Sequence, residues 1–295
     1  MPVIGDQPEL SLNSIVYATD FSVCSQNAGL YAKLLAQYFP ASLFVTHAFI
    51  LSHSAMEVEI DNKTVSQQRK DLQILLTNKA SLLGDNSVKA TPVLIEGDPE
   101  TAIPAFAEDH APSLLVLGTH GGNRIERELI GSVAEQILRS TRWPSLTVGP
   151  HVAPASTTTF PFNRILYATD FTPAAAHAAV FAVSFAQTFR AEIDVLNVVQ
   201  EEAVKHPDRL SDLRAQFYNA LDKIVPRQAL EFCAPRTFVE IGKAHEKIFD
   251  HIRERSIDLL VLGIRKRSHL GLEMRTSGAF QLIAGARCPV LTVTG

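Results

Sequence analysis

Hydrophobic and polar positions fall into two kinds of segment that alternate along the chain. Short runs rich in aliphatic and β-branched residues, Ser14–Ala18, Ser42–Phe49, Val88–Ile95, Leu114–Leu117 and Ser145–Val148, predict buried strands. Longer stretches between them, roughly Ser22–Tyr38, Val58–Leu83, Pro99–His110 and Gly131–Thr141, predict helices. The strand runs are continuously apolar, so both faces are covered, as in a parallel sheet layered between helices. The same order returns further on, with strands near 164–168, 192–199, 236–241, 258–262 and 290–293. The pattern predicts an α/β protein of two tandem, doubly wound, Rossmann-like domains, each built on a five-stranded parallel sheet.

That return is a duplication. IVYATDF at 15–21 is answered by ILYATDF at 165–171, an offset of 150. LLVLG at 114–118 recurs at 259–263, and WPSLTVG at 143–149 is answered by CPVLTVT at 288–294, both at an offset of 145. One such match could be chance among apolar strands; three in one order make a repeat. Between the copies, HVAPASTTTFPF at 151–162 is polar and hostile to helix, as a linker should be. The expected domains are therefore 1–150 and 163–295.

Composition narrows the classes of function. With 46% hydrophobic and 20% charged residues the chain is of ordinary globular type. A formal net charge of −4 argues against a nucleic-acid partner held by bulk positive charge. Three cysteines without CxxC spacing exclude a disulfide framework or a zinc ribbon. The first residues lack a basic segment followed by an apolar one, and the most apolar helical run, 174–189, is short for a bilayer. The expectation is a soluble, cytoplasmic protein with no membrane partner. Neither GxxxxGK[ST] nor GxGxxG occurs, and no nucleophile–base or paired-carboxylate constellation stands out, so no catalytic residue is assigned. The ten histidines include no metal-binding spacing, and His47 and His177 read as packed residues with satisfied nitrogens.

Open parallel sheets hold ligands beyond the carboxyl ends of their strands. Two polar interruptions lie there. After the first strand comes Thr19-Asp20-Phe21-Ser22, where Asp20 can face a crevice or, like Ser22, cap the next helix. After the fourth comes Gly118-Thr119-His120-Gly121-Gly122, and later Gly131-Ser132 opens a helix. Glycines admit an anion close to main-chain N–H groups, and a helix N-terminus adds donors and partial positive charge. Ser132 can donate its hydroxyl to a phosphate oxygen and Arg124 can neutralise charge. The competing reading is that the glycines only serve turns.

At these residues the chain resembles the universal stress proteins in their tandem-domain form. Gly118, Gly121, Gly131 and Ser132 match the Gly-x2-Gly-x9-Gly-Ser/Thr pattern of the ATP-binding members, and YATDF resembles the family's Pro-Thr-Asp-Phe-Ser opening. The resemblance implies an adenine nucleotide alpha hydrolase-like fold and ATP as ligand, with Mg2+ or Mn2+. It implies that Asp20 lies at the adenosine end and that Ala48, after Thr46-His47, offers main chain to adenine. It also implies a stress-response role through nucleotide-dependent regulation, with a slow ATPase or a nucleotide-independent scaffold as alternatives. The last strands of the two copies are expected to pair within the chain, and a homodimer stays open. Copy two departs from the pattern: Asp170, Gly263 and Ser277 are kept, while Lys266 and Thr276 replace glycines. That site reads as degenerate, or as one holding a phosphate through side-chain cations.

Overall fold

The computed structural model describes residues 11–50, 62–120, 130–155, 162–200, 235–265 and 278–295, with positions 215 and 219. Two compact units emerge, Ser11–Ile125 with Gly131–Ser145, and a second that includes Leu146–Gly295.

The first unit runs β1 (Ser14–Ala18), α1 (Val23–Tyr38), β2 (Ser42–Phe49), α2 (Asn62–Leu83), β3 (Ala90–Glu96), α3 (Pro99–Asp109), β4 (Ser113–Gly118) and α4 (Ser132–Ser140). Its strands are ordered β3-β2-β1-β4. β1 lies parallel to β2 on one side and to β4 on the other, so strand order reverses at β1. A crevice forms at such a reversal, above the carboxyl ends of the strands. Ile15, Val16, Tyr17, Leu114, Leu115 and Val116 are fully buried, as two-sided coverage requires.

The second unit holds β5 (Ser145–Val148) from Leu146 onward, β6 (Arg164–Ala168), α5 (Pro173–Phe189), β7 (Glu192–Val199), β8 (Arg236–Ile241), α6 (Ala244–Glu254), β9 (Leu259–Ile264), α7 (Gly278–Gly285) and β10 (Val290–Thr294). Its order is β5-β10-β9-β6-β7-β8. β6 is parallel to β7 and β9, β7 to β8, and β10 to β9. The Thr147 hydroxyl donates to Val290 O at 3.1 Å, joining β5 to β10 inside this unit.

The elements start and stop where local chemistry dictates. Ser22 caps α1 by accepting from Ser25 N, Thr172 caps α5 by accepting from Ala175 N, and Asp98 caps α3 by accepting from Glu100 N. Each satisfies a donor that the helix itself cannot. Pro99 and Pro173 follow their caps, where a missing N–H costs nothing. β3 begins at Ala90 rather than at Val88, because the Val88 carbonyl accepts from Asp85 N in a turn that Asp85 Oδ1 also closes. Gly131 and Thr141 are the two caps of α4 rather than parts of it. The expected 58–61 portion of α2 lies outside the described residues.

One corner is solved twice in different chemistry. In the first unit Phe44 on β2, Phe106 on α3 and the α3 C-cap His110 form an aromatic cluster, with ring centroids 4.1–5.4 Å apart. The corresponding positions of the second unit are Asp194 on β7, His251 on α6 and the α6 C-cap Arg255. Asp194, only 1% exposed, accepts from Arg236 Nε at 2.9 Å, His251 Nε2 at 2.9 Å and Arg255 Nε at 2.6 Å. The Arg255 guanidinium lies 5.1 Å from the Phe238 ring centroid, where a cation–π attraction operates. Burial works to raise the Asp194 pKa, and the bonds from His251, Arg236 and Arg255 outweigh it, so the carboxyl sits below its ordinary value.

Candidate functional site

Above the switch at β1 the first unit contains a cavity of about 300 Å³, within the range of small-molecule sites. Five pieces of the chain shape it: the β1–α1 turn, the end of β2, the first turns of α3, the end of β4, and the mouth of α4. Asp20, Ala48, Gly118, Gly131 and Ser132, five of the residues singled out in the sequence, line it together. Gly121 and Arg124 lie outside the described residues. Among the described residues the cavity is also lined by Thr19, Ser25 and His47 on its polar side, and by Ile103, Val133 and Ile137 on an apolar wall.

The β1–α1 turn is built by its own side chains. Phe21 N donates to Thr19 Oγ1 at 3.0 Å, and Ser22 N donates to Asp20 Oδ1 at 3.0 Å. These bonds hold Phe21 in the left-handed region, at φ 63°. That conformation is unfavourable for a residue with a Cβ, and such backbone concentrates at functional sites. Asp20 lines the cavity wall and one of its oxygens closes the turn, so it does not itself cap α1. Ser22 is the helix cap, and its hydroxyl donates to His120 O at 3.1 Å, tying the turn to the loop after β4. Beneath, the Tyr17 hydroxyl donates to Ser25 O at 2.5 Å, and burial pushes its pKa up to about 12, so it stays a donor.

The glycines divide by role. A Cβ on Gly118 would lie 2.7 Å from Ser25 N and 2.8 Å from Cys24 C, so its bareness lets β4 meet the backbone of α1. Gly263 is tighter still, with a Cβ placed 2.3 Å from Ala174 C and Ala175 N. Both are packing glycines, whatever else they border. Gly118→Ala is expected to destabilise the protein by roughly 1–3 kcal/mol, the cost of overpacking, measured as a lowered urea midpoint at constant slope. An unchanged midpoint would show that β4 and α1 are not so close.

Gly131 differs. Among the described residues a Cβ there would meet only Thr119 O, at 3.2 Å. Its own N–H donates to Thr119 O at 2.8 Å, which corrects the expectation that this amide is offered to an anion. The donors at the mouth of α4 are those of Ser132, Val133 and Ala134, its first turn. Gly131 caps the helix without a side-chain bond, so among the described residues no capping oxygen competes for them. All three residues line the cavity. The cavity therefore combines anion-favouring amides at the mouth of α4 with apolar side chains.

Sequence reasoning passed over that wall, although Val133 and Ile137 are four residues apart on one helix, the spacing of a shared face. In the second unit Asp170 and Gly263 occupy the same places in their elements, with Asp170 Oδ1 accepting from Thr172 N at 3.0 Å. Lys266 and Ser277 lie outside the described residues. His177, like His47, has Nδ1 engaged by a carbonyl, here Thr294 O at 3.0 Å.

The model of the universal stress protein family matches residues 12–149 and again 161–294. The chain belongs to the universal stress protein family, with two copies of its domain. A universal stress protein of Methanocaldococcus jannaschii is 31% identical over 136 residues, covering 45% of this chain and 80% of the relative. A second from that organism is 25% identical over 150 residues, 45% of this chain and 93% of the relative. Among solved structures, a universal stress protein from Archaeoglobus fulgidus superposes with a TM-score of 0.71 at 19% identity, over 97% of this chain and 99% of that one. This last likeness concerns the fold. Among the described residues no helix is long and apolar enough to cross a membrane.

Proposed function

We propose that the first copy of this universal stress protein binds an adenine nucleotide, ATP foremost, and serves stress response by nucleotide-dependent regulation. One observation carries the reading: Asp20, Ala48 and the first turn of α4 line a single cavity, and among the described residues no side chain caps the α4 amides. The phosphates would lie at Ser132, Val133 and Ala134, where donors and the helix dipole favour an anion. The base would lie towards Ala48 and the ribose near Asp20, whose carboxylate can accept from hydroxyl groups. Several charge-assisted bonds of about 1.5–3 kcal/mol each suffice for micromolar affinity, about −8 kcal/mol.

Among the described residues no group of three or more His, Cys, Asp or Glu is placed to hold a metal ion. A divalent cation, Mg2+ or Mn2+, would thus enter with the phosphates that supply its ligands. No base is positioned against a phosphate by these residues, so the reading assigns binding and no chemical step.

The test is calorimetric titration with ATP, AMP and cyclic AMP, after denaturing a fresh preparation to release any nucleotide it already carries. ATP at a hundred times its Kd is expected to stabilise the fold by about 2.7 kcal/mol. Absence of co-purified nucleotide, of binding heat and of thermal stabilisation together would refute the reading.

A further inference from the structure

Among the described residues at the cavity, His47 is a polar wall residue to which the binding proposal assigns no role. It lies on β2, yet its Nδ1 is 2.7 Å from the carbonyl oxygen of Thr19 in the β1–α1 turn. A carbonyl has no proton to give, so Nδ1 carries one and donates it. The neighbouring backbone makes a parallel link, Thr19 N to Thr46 O at 2.9 Å. The imidazole also supports the ring of Phe21, with centroids 4.8 Å apart. β2 thus grips the turn at both main-chain polar groups of Thr19 and at the side chain of the strained residue two positions on.

The second copy shows which part of this is the essential part. Its Asn197 occupies the position of His47, and Asn197 Nδ2 donates to Thr169 O at 2.7 Å. Thr169 N donates to Leu196 O at 2.9 Å, and Phe171 N to Thr169 Oγ1 at 3.1 Å. Phe171 takes the same left-handed conformation, at φ 61°. Two different side chains deliver one donor to one carbonyl, and the turn is the same. A residue kept only to fill space would not preserve the donor when its ring is lost.

We infer that His47 is a positioning residue: through Nδ1–H it locks the Thr19–Ser22 turn and so sets Asp20 on the cavity wall for the ligand. This rests on the nucleotide-binding reading of the cavity, and the chain supplies its own control. His47→Asn, which installs the second copy's solution, is expected to bind ATP within about twofold of the natural protein. His47→Ala, which removes the donor, is expected to bind about tenfold more weakly at a temperature where all three proteins are folded. Equal weakening in both variants, or none in either, overturns the inference.

Should the natural protein bind no adenine nucleotide, the binding reading fails and the lock is judged by NMR. Nitrogen shifts of the His47 ring are expected to show the Nδ1-protonated form. The Phe21 and Ser22 amides are expected to exchange slowly in the natural protein and in His47→Asn, and about tenfold faster in His47→Ala. A ring protonated on Nε2 alone, or exchange indifferent to both substitutions, refutes the lock whatever the cavity binds.

Discussion

Asp194→Ala is expected to destabilise the second unit by about 2–3 kcal/mol, the cost of leaving a buried polar partner unsatisfied. The charge itself is not the source of that figure. Removing the carboxylate leaves Arg236 Nε, Arg255 Nε and the buried His251 Nε2 without the acceptor they converge on. The cost falls on His251, which is buried where water cannot replace the carboxylate; Arg236 and Arg255 are partly exposed, and Arg236 keeps Glu192. Urea unfolding of the variant would show this as a lowered midpoint, and a change under 1 kcal/mol would mean that solvent reaches the site and replaces the carboxylate.

The first unit supplies the contrasting experiment. Replacing the cluster together, with Asp194→Phe, Arg236→Thr, His251→Phe and Arg255→His, installs the first copy's corner and is expected to be far less costly than Asp194→Ala alone. Well-packed apolar groups often equal or exceed a buried ion network. The pH dependence follows from the same carboxyl. Its pKa is depressed in the folded state, so its contribution is complete above the ordinary Asp range and is lost as pH falls through that range to the depressed value. Asp194→Asn should flatten the acid limb of the stability curve.

The second large effect belongs to the cavity. Gly131→Glu is expected to lower ATP affinity by more than 100-fold, beyond about 2.7 kcal/mol, while the fold persists. Gly131 has ordinary helical-cap dihedrals, φ −62° and ψ 143°, so a side chain is not barred by its backbone. Among the described residues its Cβ would press only on Thr119 O. What the substitution adds is a carboxylate at the helix mouth, in competition with phosphate for the amides of Ser132, Val133 and Ala134. Gly131→Ala, lacking the charge, should keep most of the affinity. Equal binding by Gly131→Glu and the natural protein would place the anion elsewhere.

Much of the architecture was legible because it is written in local pattern. β1, β2 and β5 have the bounds their apolar runs predict, and Ser22 and Thr172 cap as their type suggests. The tertiary part of the site was not legible. Gly118 reads as an anion-binding glycine, whereas its closest constraint is the backbone of α1, and no spacing announces how near a helix comes to a strand. The commitment of the Gly131 amide to Thr119 O is likewise a matter of loop geometry. Asp194 did leave a trace, a charged residue within the apolar run EIDVLNVV, and its meaning depended on Arg236 and Arg255, more than forty positions away.

The unlike corners bear on how a chain with two nearly equivalent halves sorts itself. β2 and β7 hold equivalent places, β2 between β1 and β3 and β7 between β6 and β8. If β7 lodged in the wrong half, Asp194 would meet Phe106 and His110 in place of Arg236 and Arg255. If β2 did so, Phe44 would sit among Arg236, His251 and Arg255 and leave three donors unanswered. Either exchange strands buried polar groups at a cost of several kcal/mol. Divergence at one corner thus gives each half an address that the other cannot counterfeit.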